Sequence, residues 1–186
     1  MKESDNVLRI LEETRKAIER DDPAEIMSLS NQTTNTASLT QDPDNIAVAV
    51  IVYSIGKILE RENYKKLKGW NSFYKITIDS LERAVEDIKK KDDKKFRKDI
   101  ETIRKAINKI SGKLRKYIQE VFRNAQINKA SRIYAHGVSM AQTAKLLGIT
   151  MFELADYAGK TGISDVPSTT TMNAEKRIKL AMDMFE

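Results

Sequence analysis

The sequence predicts an all-α protein: a helical bundle built around a long antiparallel helical hairpin, followed by a helix-turn-helix module. Three observations carry this. Apolar residues recur at steps of three and four along most of the chain. No stretch shows the period-two alternation of a strand next to a turn signal. Only 7 Gly and 3 Pro interrupt 186 residues. With 40% hydrophobic and 32% charged residues, the chain can bury a core and keep a solvated surface. The expected division is a bundle over 1–122, the helix-turn-helix module over 123–160, and a flexible segment with a C-terminal helix over 161–186.

The first helix is expected from Asp5 to about Arg20, with Val7, Leu11, Thr14 and Ile18 on one face. Asp21-Asp22-Pro23 stops it, and Pro23 suits the first turn of the next helix. Ser30 to Gln41 reads as a polar segment whose Asn31, Thr34 and Ser38 share a helical face. Bundle contacts account for that face better than a polar groove. Asp42-Pro43-Asp44 then opens an apolar helix from Asn45 to about Arg61. Its most apolar part, Ile46 to Leu59, is shorter than the roughly 20 residues a bilayer span needs, so a buried central helix is expected and no membrane partner.

The hairpin carries the strongest periodic signal. Tyr74, Ile78, Leu81, Val85 and Ile88 form one seam, and Phe96, Ile100, Ile103, Ile107, Ile110, Leu114, Tyr117 and Val121 form the next. The polar run Lys89 to Lys95 is the expected tip. On this pattern the second helix runs unbroken through Gly112, on the face opposite the seam. An intramolecular bundle and a dimeric coiled coil both accommodate such a seam. Trp70, Phe73 and Tyr74, near Lys65, Lys66 and Lys68, are expected to anchor a helix start, with base stacking as the alternative.

The rhythm changes after Val121. A helix ends at His136, with Gly137 as the left-handed residue past its end. Ser139 with Gln142, and Thr150 with Glu153, have the spacing of two capping boxes. Ala144 is small where two helices would cross, and Gly148 permits the tight turn between them. Leu147, Ile149, Leu154 and Tyr157 are spaced to share a small core. Two capped helices joined by a glycine turn are the plan of DNA-binding helix-turn-helix modules.

Within this stretch, His136-Gly137, Ser139, Ala141, Ala144, Leu147-Gly148-Ile149-Thr150, Phe152, Glu153 and Leu154 resemble the helix-turn-helix of small prokaryotic antitoxins that pair with PIN-domain ribonuclease toxins. The resemblance covers residues 130–160. It implies a nucleic-acid-binding, autoregulatory module and a PIN-domain toxin as a protein partner. The chain as a whole also resembles archaeal helical proteins, a likeness that implies no function.

Charge is unevenly placed. The net charge is +6, yet Ile100 to Arg132 alone holds nine basic residues against two acidic ones. Phosphate contact is expected from Arg104, Lys105, Lys109, Arg115, Lys116, Arg123, Lys129 and Arg132, with Lys113 in the same run. A solvated helix face is the plainer account of the same residues. On the module's last helix, Thr150, Met151 and Lys160 are the expected base-facing or phosphate contacts. Glu153 and Asp156 lie nearby, and no Arg, Asn or Gln stands among them.

With no cysteine, disulfides and thiolate chemistry are excluded. His136 stands alone, without a nucleophile or ligand set. Asp42, Asp44, Asp92 and Asp93 sit where helices start and suit capping better than a metal. The expectation is therefore a cytoplasmic, non-enzymatic regulator without cofactor or metal. DNA is the first expected partner. RNA, a protein partner and a second copy of the chain are the alternatives. An adaptor that reuses the fold and an RNA- or ribosome-associated factor are the rival functions.

Overall fold

The computed structural model describes residues 1–109 and 112–161, with the side chains of 107–109 left aside. Among these residues the chain forms nine helices: α1 (Ser4–Glu19), α2 (Pro23–Thr40), α3 (Pro43–Leu59), α4 (Glu62–Lys65), α5 (Trp70–Lys89), α6 (Asp93–Lys109), α7 (Gly112–Ala135), α8 (Met140–Leu147) and α9 (Met151–Thr161). The protein is all-α. None of these helices is long and apolar enough to cross a membrane. The expected burial of Ile107 and Ile110, and the expected C-terminal helix within 161–186, fall outside the described side chains and residues.

Two Asp-Pro pairs start helices in the same way. Asp22 accepts the Glu25 N–H at 3.0 Å with Pro23 opening α2, and Asp42 accepts the Asp44 N–H at 2.9 Å with Pro43 opening α3. Each cap satisfies a backbone donor that the first turn leaves without a partner. The polar run Ser30 to Gln41 belongs almost wholly to α2. Its hydroxyls fold back on their own helix: Thr33, Thr34 and Ser38 donate to the carbonyls four residues earlier at 2.8–3.0 Å. Ser30 reaches across to the Ala49 carbonyl of α3 at 3.0 Å. Where α2 meets α3, a Cβ on Gly56 would stand 3.1 Å from Met27 Sδ, so a hydrogen there permits the close approach.

α3 is the central helix. Val48, Ile51, Val52, Ile55 and Ile58 are all buried, while Ala47, Val50, Tyr53 and Lys57 are half-buried along its remaining face. It touches α1, α2, α4, α6, α7 and α8. α5 and α6 form the expected hairpin within one chain, turning at Lys90–Asp92, with Asp92 accepting the Lys95 N–H at 3.0 Å. Leu81, Val85, Ile88, Phe96, Ile100 and Ile103 make its buried seam. Trp70 and Phe73 are buried in the same core, so that aromatic cluster anchors the start of α5 and is closed to base stacking. Arg97 of α6 grips the buried Asp44 of α3 with two bonds of 2.8 Å.

The seam does not continue through Gly112 as one helix. α6 ends at Lys109, and α7 opens on Gly112 with φ of +69°. A side chain there would meet nothing within 4 Å, so the backbone angle, not space, calls for glycine. The break also resets the helical phase. Leu114, Ile118, Val121, Phe122 and Ala125 are the buried positions of α7. Tyr117, expected in the seam, is 39% exposed and stacks on Tyr64 with ring centroids 5.3 Å apart.

α7, the longest helix among the described residues, joins two apolar clusters. Leu114, Ile118, Val121 and Phe122 belong to the bundle core, while Ala130 and Ile133 belong to a second cluster with Val138, Leu147 and Leu154. The expected boundary between 122 and 123 falls inside this helix. The second cluster also takes in Ala37 of α2 and Ile46 of α3.

Candidate functional site

α7, α8 and α9 make the helix-turn-helix. After α7 the chain turns through Gly137 at φ of +93°. Ser139 caps α8, accepting the Gln142 N–H at 3.3 Å. Gln142 does not complete the expected box: its side-chain amide donates instead to Gln41 at the end of α2. Gly148, at φ of +65°, ends α8 and gives the left-handed residue that the tight turn needs. The second box is complete. Glu153 accepts the Thr150 N–H at 2.9 Å and the Thr150 hydroxyl at 2.8 Å, and the Glu153 N–H donates to the Thr150 hydroxyl oxygen at 3.1 Å. The Thr150 N–H, then its hydroxyl, then Arg123 hold the Glu153 carboxyl far below its ordinary range, at about 2.

Ala144, Leu147, Ile149, Leu154 and Ala158 are buried beneath the turn. Tyr157 sits at the margin of that core, half-buried, with its hydroxyl accepting from Asn128 Nδ2 at 3.3 Å. The outer face of α9 presents Met151 (54% exposed), Phe152 (82% exposed), Ala155, Asp156, Gly159 and Lys160. Lys160 is paired with Asp156 at 2.7 Å, so this face is close to neutral. Thr150 is exposed but its hydroxyl is engaged in the cap. Of the three residues expected to meet a base or a phosphate here, Met151 alone has its side chain uncommitted, and Phe152 is a more exposed neighbour.

The basic run from Ile100 to Arg132 does not form one surface. α6 and α7 place Arg104, Lys105 and Arg123 around a groove of about 720 Å³, and α8 adds Lys145. Pro43, Ile46, Ala47, Val50 and Ile51 of α3 form its floor. Gln119, Phe122 and Gln126 of α7, with Leu146, Leu147 and Gly148 of α8 and the turn, form its walls. Glu101 is the one acid in the lining. It stands 3.7 Å from Arg104 and 3.8 Å from Lys105, both pairs solvent-facing. Arg123 binds Glu153 and points a second nitrogen at the Gly148 carbonyl, 3.5 Å away, so it ties α7 to the turn. Gln126 donates to the Leu147 carbonyl at 3.3 Å beside it.

Arg132 lies nine residues beyond Arg123, about half a turn out of phase, and so faces the other way. It bonds Asn31 of α2 at 2.8 Å. Lys129 corrects the sequence reading most sharply. It is fully buried, with Nζ 4.6 Å above the Tyr53 ring and 3.5 Å from Asn31 Oδ1. Burial, and then the charge of Arg132, pull its ammonium down to about 7. Lys129 therefore cannot reach a phosphate. Arg115 and Lys116 are exposed on the first half of α7, and the Lys109 side chain lies outside the described set. Lys145 was not singled out by sequence: a lone lysine in a short helix carries no pattern, and only the packing of α8 on α7 brings it to the groove.

No family model, no curated protein and no solved structure matches the chain.

Proposed function

We propose that the protein is a nucleic-acid-binding regulator whose α9 acts as the recognition helix, with DNA as the target. The observation that carries this is the juxtaposition of an α9 whose N-terminus is closed by the Thr150/Glu153 box, its first residues exposed, with a groove rimmed by Arg104, Lys105, Arg123 and Lys145 at the adjoining turn. In helix-turn-helix recognition the N-terminal part of the second helix meets base edges. Met151 and Phe152 are apolar and would meet a thymine methyl. The rim cations would supply attraction to phosphates that positions without specifying sequence. Lys116, seven residues before Arg123 and so on the same stripe of α7, extends that field.

Salt dependence tests it. Binding to a short duplex should weaken with salt at a log–log slope of about −0.9 per phosphate neutralised. Replacing Arg104, Lys105 and Lys145 by Ala should flatten that slope. Affinity that ignores both salt and these changes would remove the basic rim from the interface.

A second reading has its own observation. Phe152 is 82% exposed beside Met151, on a face with little net charge, and aromatic and Met side chains are favoured at protein interfaces. An adaptor would use this face to hold a protein, a PIN-domain ribonuclease being the partner that the resemblance implies. Phe152→Glu separates the two. On the nucleic-acid reading it lowers duplex affinity through repulsion of phosphate. On the adaptor reading it abolishes a protein complex and leaves duplex retention as it was.

A further inference from the structure

We propose that the groove between α3, α6, α7 and α8 binds a free amphipathic anion, a carboxylate or phosphate monoester on an apolar body, and that its occupation weakens nucleic-acid binding. The binding itself stands on the groove alone; its consequence rests on the nucleic-acid reading above.

Phosphates of a duplex would use only the rim of this groove. Its floor is apolar: Ala47, Val50 and Leu146 are half-buried, and Ile46 and Phe122 lie behind them. A strip of phosphates offers nothing to cover such a surface, and burying apolar area is worth roughly 25 cal/mol per Å². The volume of about 720 Å³ falls in the range of small-molecule sites. Arg123 is held by Glu153, while Arg104 and Lys105 share Glu101 across contacts of 3.7 and 3.8 Å that are long and exposed and so easily exchanged. Lys145 has no ion-pair partner among the described residues. A neutral apolar ligand would leave these charges unused, and inorganic phosphate would leave the floor wet. An anion with an apolar body satisfies both.

The same groove touches the turn between α8 and α9. Arg123 holds Glu153 and faces the Gly148 carbonyl, and Gln126 holds the Leu147 carbonyl. A bound anion would compete with Glu153 for Arg123 and would neutralise the rim that faces phosphate. Both effects oppose nucleic acid in the adjoining site.

Calorimetric titration of the full chain with decyl phosphate, kept below micelle formation, tests the site. Saturable binding at one per chain is expected, with decanol and inorganic phosphate each at least about tenfold weaker. Ala47→Phe fills the floor and Lys105→Glu reverses the exposed rim. Each should weaken decyl phosphate about tenfold or more, the second without disturbing the core. No saturable binding, binding indifferent to Lys105→Glu, inorganic phosphate as tight as decyl phosphate, or association with anionic vesicles alone would each overturn the proposal. Saturating decyl phosphate should also lower duplex affinity about five- to tenfold. Unchanged duplex affinity overturns the regulatory half. A protein that binds decyl phosphate but never a duplex keeps the groove and ends the nucleic-acid reading.

Discussion

The two sides of α7 put the same residue types to opposite uses. On one side Arg123 opens onto a groove, spans to Glu153 and leaves its neighbours Lys105 and Lys145 in solvent. On the other, Lys129 is sealed against Tyr53 and Asn31 with no carboxylate beside it. In sequence both belong to one basic run. In the fold one is a candidate contact for a polyanion and the other a buried cation held by a ring face and an amide. Charge clustered along a chain becomes a charged surface only where the helical phase keeps it on one side, and Arg123 and Arg132 are half a turn apart.

The largest test of this contrast is to put a charge on the buried stripe itself. Ile133, fully buried in the second cluster, should not tolerate Asp: an unpaired carboxylate there costs several kcal/mol. Loss of the cooperative thermal transition of the module, read by circular dichroism, is expected. A stable Ile133→Asp protein would show that the second cluster is not a core.

Lys129→Met comes next and acts in the opposite direction. Removing a buried ammonium without an acidic partner should stabilise the protein by about 1–3 kcal/mol at neutral pH. The pH dependence gives an independent signature. The unfolded chain keeps this proton to the ordinary lysine range near 10.5, whereas the folded chain releases it near 7. Between those values the unfolded state binds more protons, so stability should climb as pH rises from 7 to 9 and be flat in this term below 7. Lys129→Met should abolish that climb in a denaturant series. A variant less stable than the parent, with the slope intact, would mean that the Tyr53 and Asn31 contacts outweigh desolvation.

The smallest effect is expected on the open side. Arg123→Ala removes a solvent-facing ion pair, and such pairs contribute little to stability. Its readout is the titration of Glu153. The carboxyl sits at about 2, and the Thr150 N–H is the leading cause. In the variant it should rise yet stay below the ordinary carboxylate value. The bonds that depend on the ionised Glu153 are complete above its ordinary range and are lost as pH falls through about 2 in the parent, and at a higher pH in the variant. A Glu153 titration that does not move would show that Arg123 contributes nothing to the cap.

Local signals were legible and long-range ones were not. The caps at Asp42, Ser139 and Thr150, the helix start at Pro23 and the glycine turns at Gly137 and Gly148 depend on a few neighbouring residues, so spacing alone predicts them. The hairpin tip was legible because charge interrupts an apolar rhythm there. The break at Gly112 was hidden, because apolar steps of three and four continue on both sides of it while the phase shifts from Tyr117 to Ile118. In Ser30 to Gln41 the shared helical face of Asn31, Thr34 and Ser38 was legible, but the partners were not: the Thr34 and Ser38 hydroxyls bond carbonyls of their own helix one turn back. Neither the burial of Lys129 nor the arrival of Lys145 at the groove has a local cause. Both follow from how α7 meets α2, α3 and α8.

On the proposed reading, the outer face of α9 and the rim of the groove meet nucleic acid together. Amide chemical shifts of the full chain, followed while a short duplex is added at low salt, test it most directly. At low salt the electrostatic attraction is least screened. Shifts that saturate together at Met151 to Asp156 and around Lys105, Arg123 and Lys145 are expected, with the amides around Lys129 and Tyr53 unmoved. A spectrum that duplex leaves unchanged, or shifts confined to residues away from α9 and the groove, would contradict it.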